Sequence, residues 1–305
     1  MEKPIHSSSG NSVTNSAEEM DALIMADFFG KSAKELLKAR ESEDMPTFYK
    51  AALDDWIQGK SNQYGSEVVQ TYILKFIELF AIAMDKAGQK AIDSIQAFYS
   101  GFDEVPESEC ITAINEFIFE KEQVSRIIKN NNNQPLTTNH DKKHYANRLA
   151  NVYSMGVELM SKLLNIIIVL LQMTNGEETT PKKIYKKSLK DKIDEFLKLS
   201  DGKYDSFIDG INRPFRNSTS HLDCTFNLKQ NAYIYRVGNT RKVCKMSGKD
   251  MVSKYYPSIG WVIQGFMYAG MLLILAHEDE VKYKQAIAGI FNDVPLTSAP
   301  RSKGE

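Results

Sequence analysis

The chain has 305 residues, and its 38 Lys and Arg side chains nearly balance 39 Asp and Glu, which leaves a formal net charge of -1. That balance excludes a polycation that binds nucleic acid by bulk charge. Because 42% of the residues are hydrophobic and 10% are aromatic, a collagen-like or mostly disordered chain is also excluded, and the length is typical of about two domains.

Cysteine use and the apolar runs predict a soluble, cytoplasmic protein with no membrane span. Three cysteines (Cys110, Cys224, Cys244) are too few for a disulfide framework and fit a reducing compartment. Residues 1–16 contain no apolar leader. The most apolar run, Leu163 to Leu171, is shorter than the roughly 20 residues that cross a bilayer.

The first part of the chain reads as a disordered tail (1–16) followed by an N-terminal helical domain (17–130) with no identifiable chemistry. In that domain apolar residues recur every three or four positions, beginning with Met20, Leu23 and Ile24. After the stretch that holds Met20 to Leu37, this pattern predicts helices at 47–58, 66–86, 89–98 and 107–129. We expect the domain to recognise a trigger, restrain an active site or build an oligomer.

A polar, Asn-rich linker (131–144) then marks the predicted domain boundary. Beyond it the periodicity predicts helices at 145–173, 189–199 and 204–220, the last one bent at Pro214, and an apolar final helix at 259–276. A short strand at 225–228 and a hairpin that turns at Gly238-Asn239 interrupt the helices. The predicted fold is therefore all-α, with a small β-hairpin insertion in a second domain (145–292) and a loose tail (293–305).

The sequence Arg213 to His221 is the one dense polar constellation within a helical segment. Arg216 carries a permanent positive charge on a planar fork that suits a phosphate, and His221 can exchange a proton near neutral pH. Cleavage of RNA without a metal requires such a pair, because one group must take the proton of the ribose 2′-OH and a fixed cation must stabilise the charge on the phosphate oxygens. Residues five apart are rotated by about 140° on a helix, so either the helix ends near Ser220 or a neighbouring helix completes the site.

At these residues the chain resembles HEPN domains (higher eukaryotes and prokaryotes nucleotide-binding), whose motif is R-x4-6-H with Asn favoured after the Arg. Here the motif reads Arg216-Asn217-Ser218-Thr219-Ser220-His221. The long helix upstream and the hairpin and apolar helix downstream are similar to HEPN domains of bacterial abortive-infection and toxin proteins. The resemblance covers about residues 145–276.

The resemblance implies a metal-independent endoribonuclease that leaves 2′,3′-cyclic phosphate and 5′-OH ends and needs no cofactor. His221 would act as general base or acid, Arg216 as phosphate clamp and Asn217 as an orienting residue, with Glu158 of the long helix as an additional polar group. It also implies a homodimer with a composite active site and a role in phage defence or as a toxin. An antitoxin or a trigger protein is then a possible partner.

A basic surface supports RNA as the ligand. From Lys229 to Tyr256 there are seven Lys and Arg and one Asp, among them the candidate RNA-binding residues Arg241, Lys242 and Lys245. The tyrosines at 233 and 235 could stack on bases, although an ordinary solvated hairpin is the interpretation that we favour for them.

Three other interpretations remain open. Arg216 and His221 could simply cap a helix C-terminus, where cations interact favourably with the helix dipole. A HEPN-like fold could also bind RNA or a nucleotide without cutting it, and the chain could be a purely structural helical interaction protein. His140 and His144 have a spacing found in metal sites, but they lie in a polar linker without further ligands, so we predict no metal site.

Overall fold

The structure, a computed structural model, describes residues 44–131, 135–237 and 242–291. Within those ranges the protein is mostly helical with one small sheet, which confirms the predicted fold class. The predicted N-terminal tail, the helical pattern that starts at Met20, and the C-terminal tail at 293–305 lie outside the described residues, as does Arg241.

The helices and strands follow one another as the hydrophobic periodicity indicates, with short 3-10 turns at Lys60–Asn62, Pro106–Ser108 and Asp205–Ile208. In chain order the elements are α1 (Met45–Gly59), α2 (Ser66–Ala87), α3 (Gln89–Ser100), α4 (Ile111–Asn130), α5 (Asn139–Thr174), α6 (Pro181–Tyr185), α7 (Leu189–Ser200), α8 (Arg213–Ser220), β1 (Cys224–Asn227), β2 (Ala232–Arg236), β3 (Val243–Ser247), α9 (Gly248–Asp250), α10 (Tyr256–Glu278) and α11 (Glu280–Phe291). A π-helical turn, Met251–Tyr255, joins α9 to α10.

Three element predictions need correction. Helix α5 begins at Asn139, inside the predicted linker, because the Thr138 side chain accepts a hydrogen bond from the Asp141 amide and caps the helix. Pro214 lies in the first turn of α8, where proline fits because no hydrogen bond is lost, so it does not bend a longer helix. A further helix, α11, follows the predicted final helix.

The sheet is a three-stranded antiparallel meander with β2 in the centre. The predicted hairpin is its β2–β3 pair, in which Arg236 lies opposite Val243, and the predicted turn residues Gly238-Asn239 lie outside the described ranges. Side chains alternate between the two faces, so Tyr233 and Tyr235 share the face that packs on the helices.

The three thiols are free. Cys110 is fully buried just before α4, whereas Cys224 and Cys244 lie on β1 and β3, each opposite Tyr235. Because two strand spacings of about 4.8 Å separate β1 from β3, these two cysteines are too far apart to form a disulfide.

Helix α5 is the centre of the hydrophobic core. Its residues from Leu163 to Leu171 are buried on every side, and along its length α5 packs against α2, α3, α4, α7, α8 and α10. The buried apolar residues form one continuous cluster that includes helices from both sides of the predicted domain boundary, and α2 packs closely along α10. The division into two domains stays a prediction.

Two helical stretches, Asn139–Thr174 and Gly248–Glu278, are long and apolar enough to cross a membrane by length and composition. The longer one passes this test although its most apolar run has only nine residues. In the folded protein 78% of its apolar window and 61% of the window in the other are buried against other elements, as is usual for core helices.

Candidate active site

Helix α8 carries the motif residues, and local hydrogen bonds set where it begins. The Asn212 side chain accepts the Phe215 amide at 3.0 Å and caps the helix. Tyr153 of α5, which is fully buried, fixes the approach of the chain: its hydroxyl donates to the Gly210 carbonyl at 2.7 Å and accepts the Asn212 amide at 2.6 Å. The central helix therefore determines the start of α8.

The hydroxyls of the Ser-Thr-Ser sequence in the second half of α8 form hydrogen bonds with carbonyls of the same helix. Ser218, Thr219 and Ser220 each donate to the carbonyl four residues earlier, at 3.0 to 3.2 Å. The single proton of the Ser218 hydroxyl is shared with the Arg236 carbonyl of β2, so the helix is attached to the sheet. Phe215 packs edge-on against Tyr233 and Tyr235 from the other side.

Arg216, Asn217 and Glu158 come together between α8 and α5. Arg216 forms an ion pair with Glu158, and its Nη1 donates to the Asn217 side-chain oxygen at 3.0 Å. The Nε of Arg216 is buried and has no hydrogen-bond partner among the residues that the structure describes. Partial burial lowers the pKa of the Arg216 guanidinium, which nevertheless remains charged at neutral pH, as arginine does in proteins.

His221 is placed differently from the other three residues. It is the first residue after α8, where its amide donates to the Asn217 carbonyl at 3.0 Å, and its side chain is exposed. In the described part of the chain no hydrogen bond or ion pair joins the imidazole to Arg216. The helix ends at Ser220, which is the first of the two alternatives predicted from the five-residue spacing of Arg216 and His221.

The turn after α8 has the hydrogen bonds of a Schellman motif. The Leu222 amide donates to the Thr219 carbonyl at 3.2 Å, and the Asp223 amide donates to the Ser218 carbonyl at 2.8 Å. Leu222 occupies the left-handed position of this motif, with φ 60°, where glycine or asparagine is usual. That conformation costs about 1–2 kcal/mol for a leucine. Nothing in the sequence predicts that Leu222 adopts this left-handed conformation.

The candidate RNA-binding lysines lie on the sheet. Lys245 is exposed on β3, on the face opposite Tyr233 and Tyr235, and Lys242 is exposed just before that strand. The two tyrosines are 2% and 6% exposed, and the Tyr233 hydroxyl donates to the Ala146 carbonyl of α5 at 2.7 Å. They are core residues, which excludes the stacking of bases on them and also shows that the favoured prediction of a solvated position was wrong.

Two cavities lie away from the motif. A groove of about 810 Å³ runs between α1, the end of α2, α3 and α10, and its wall is mainly apolar; it includes Tyr49, Met84, Ile95, Tyr99, Met267 and Leu273. A smaller cavity of about 350 Å³ lies between the start of α5 and the sheet, with Tyr145, Phe226 and two lysines in its wall. Neither cavity is lined by Arg216, Asn217, Glu158 or His221.

His140 and His144 lie on the first turns of α5, with parallel rings whose centroids are 6.4 Å apart. Among the residues that the structure describes, His, Cys, Asp and Glu side chains do not form a group of three or more that could hold a metal ion.

No protein-family model, curated protein or solved structure matches this chain. What the site can do therefore rests on its own residues and on the motif they form.

Proposed function

We propose that this protein is a metal-independent endoribonuclease. The observation that carries the proposal is the group that Arg216 and Asn217 of α8 form with Glu158 of α5. The exposed His221 follows directly after α8. A guanidinium held in place by two side chains is suited to bind a phosphate, and an exposed imidazole at the end of the same helix is suited to exchange protons with the ribose and the leaving oxygen.

In the proposed reaction the ribose 2′-oxygen attacks the adjacent phosphorus. Its proton passes to an imidazole as the bond from phosphorus to the 2′-oxygen forms. The bond from phosphorus to the 5′-oxygen then breaks, and that oxygen takes a proton from an imidazolium. The products are a 2′,3′-cyclic phosphate and a 5′-OH, while Arg216 stabilises the negative charge that accumulates on the phosphate oxygens.

The separation of His221 from the ion pair supports a homodimer with a composite site. A second copy of α8 across a two-fold axis would place another His221 near Arg216 and supply two imidazoles, one as base and one as acid. The basic residues Lys242 and Lys245 would then bind the flanking RNA backbone, together with Arg241. A cytoplasmic role in phage defence or as a toxin, with an antitoxin or trigger protein as partner, belongs to the same proposal and rests on the motif resemblance.

The second candidate function is an RNA- or nucleotide-binding module that does not cut. One observation favours it: Glu158 already occupies Arg216, so a phosphate must share or displace that carboxylate. Such a module would keep its affinity for RNA when His221 is replaced.

The test is cleavage of end-labelled RNA in EDTA by the purified protein and by His221→Ala and Arg216→Ala. We expect the wild type to cleave and each variant to lose about 100-fold or more in rate, since each removes one of the two chemical roles. Matched controls are His140→Ala, an exposed histidine elsewhere, and Arg126→Ala, an exposed arginine that pairs with Glu122.

The outcomes separate the candidates. Cyclic phosphate ends that disappear in both site variants but not in the controls support the nuclease. Equal RNA binding by all five proteins without any cleavage supports the binding module. Cleavage by the wild type that appears only when Mg²⁺ is added would contradict the proposed mechanism.

A further inference from the structure

Leu222 is the most exposed large hydrophobic residue among those that the structure describes. Its exposed fraction is 92%, compared with 70% for Tyr64 and 66% for Val281. The side chain therefore gains almost nothing from burial, and it also occupies the strained left-handed position at the end of α8. Neither its conformation nor its packing explains a leucine here.

The turn that carries Leu222 is firmly held. In addition to its two Schellman hydrogen bonds, the Asp223 carbonyl accepts the Arg236 amide at 3.3 Å, and Ser218 donates to the Arg236 carbonyl. The turn is thus attached to β2 on one side and to α8 on the other. It presents an apolar side chain to solvent in a fixed place, next in sequence to His221.

The proposed reaction needs a change in the RNA backbone at the bond that is cut. The attacking 2′-oxygen, the phosphorus and the leaving 5′-oxygen must lie nearly in line, but a stacked, helical strand holds the 2′-oxygen to one side of that line. Separating the two bases that flank the phosphate frees the ribose to rotate. Apolar side chains such as leucine, inserted between neighbouring bases, produce this kind of unstacking in other nucleic-acid complexes.

We propose that Leu222 is a wedge that separates the two bases flanking the scissile phosphate, and that the substrate class is therefore single-stranded RNA with stacked bases. This inference rests on the proposed function. It assigns to Leu222 a positioning role, in which the side chain contacts the bases while Arg216 and His221 act on the phosphate and the ribose.

The experiment compares cleavage of poly(A), whose bases stack strongly, with cleavage of poly(U), whose bases stack weakly. We expect Leu222→Ala and Leu222→Gly to lose about tenfold or more in rate on poly(A) and to change little on poly(U), whereas Leu222→Met should cleave both about as fast as the wild type. The alanine variant keeps the backbone restricted, so a loss in both variants cannot come from a more flexible turn.

Thermal unfolding separates this role from a structural one. Leu222→Gly relieves the left-handed strain, so its Tm should rise by about 2 °C while its activity on poly(A) falls. The matched control is Asp201→Gly, which relieves the same kind of strain at the end of α7, where Asp201 has φ 45°. The control should gain stability and keep full activity.

A readout independent of cleavage is the fluorescence of 2-aminopurine in a 2′-O-methyl RNA, which rises when that base is unstacked. A rise with the wild type and none with Leu222→Ala at equal binding supports the wedge, even if the protein cuts no RNA. Equal cleavage of poly(A) by wild type and Leu222→Ala overturns the wedge and leaves the nuclease standing. A drop in mass from dimer to monomer in the variants would instead assign Leu222 to the contact between copies and overturn the proposal.

Discussion

Glu158 neutralises the proposed phosphate clamp in the free protein. Its side chain is 52% exposed, and that of Arg216 is 28% exposed, so water and salt weaken the ion pair between them. Exposed pairs of this kind contribute about 0–1 kcal/mol. An RNA phosphate can therefore displace the carboxylate at little cost.

We predict that Glu158→Gln binds RNA more tightly and with a steeper dependence on salt. The substitution leaves Arg216 without its competing carboxylate, so one more cation is available to a phosphate. For a single strand the slope of log affinity against log salt concentration should steepen by about 0.7. Fluorescence anisotropy with 2′-O-methyl RNA between 50 and 200 mM KCl would measure it.

The matched control is Glu120→Gln. It removes the same charge from another arginine pair, Arg148 and Glu120, whose atoms are 2.6 Å apart between α5 and α4. An equal change of slope in both variants would mean that net charge alone explains the effect and that Arg216 does not contact the phosphate.

At the scale of elements, one buried hydroxyl holds the chain where α8 begins. We predict that Tyr153→Phe lowers the free energy of unfolding by about 1–3 kcal/mol, because the Gly210 carbonyl and the Asn212 amide both lose their partner. It should also reduce cleavage of RNA, although Tyr153 itself is fully buried and takes no part in the chemistry.

Urea unfolding and the EDTA cleavage assay measure the two effects. The control is Tyr49→Phe, whose hydroxyl makes no hydrogen bond within the described ranges and whose loss should change the free energy of unfolding by less than about 0.5 kcal/mol. Full activity of a destabilised Tyr153→Phe would show that the start of α8 is fixed by other contacts.

Most elements are predictable from the sequence, and the exceptions have local causes. The many apolar residues of α2 and α10 predict these two helices from the sequence alone, and their tertiary contacts agree with that prediction. The start of α5 is missed because its first turns are polar, so that only the Thr138 cap indicates a helix there. The start of α8 at Pro214 is missed because proline has opposite effects in the first turn of a helix and in its interior.

The site is predictable to a lesser extent. Arg216, Asn217 and His221 follow from a short motif, and Glu158 from the motif's usual helical neighbour, and the structure brings three of these four together. The roles of Tyr153 and Leu222 have no signal in the sequence. The role of Tyr153 depends on the carbonyl of Gly210, which is 57 residues away in the sequence. The role of Leu222 depends on a hydrogen-bonded turn in which this position is usually glycine.

At the scale of the whole molecule, close contact between α2 and α10 joins the two parts of the chain. Gly265 makes this possible, since a Cβ there would lie 2.5 Å from the Cβ of Tyr72. Gly260 and Gly270 have the same five-residue spacing, but a Cβ at either would meet no atom within 4 Å. Only one of the three glycines serves close packing.

We predict that Gly265→Ala lowers the free energy of unfolding by about 1–3 kcal/mol, because the added methyl group forces α2 and α10 apart. Gly260→Ala in the same helix should instead raise it by about 0.5–1 kcal/mol through helix propensity. Calorimetry would measure both. Because α2 and α10 share one core, the Gly265→Ala transition should shift as a whole; a second transition that appears only in this variant would show that the two parts unfold separately.

Two of the three free thiols can report which part of the protein opens. Burial raises the pKa of Cys224 to about 11, and it raises that of the fully enclosed Cys110 further. Since only the thiolate is alkylated, neither cysteine reacts readily until the structure around it opens locally. The rate of alkylation at Cys224 would then measure how often β1 separates from its neighbours. The rate of alkylation at Cys110 would measure how often the interior near α4 is exposed. Neither measurement requires an introduced label.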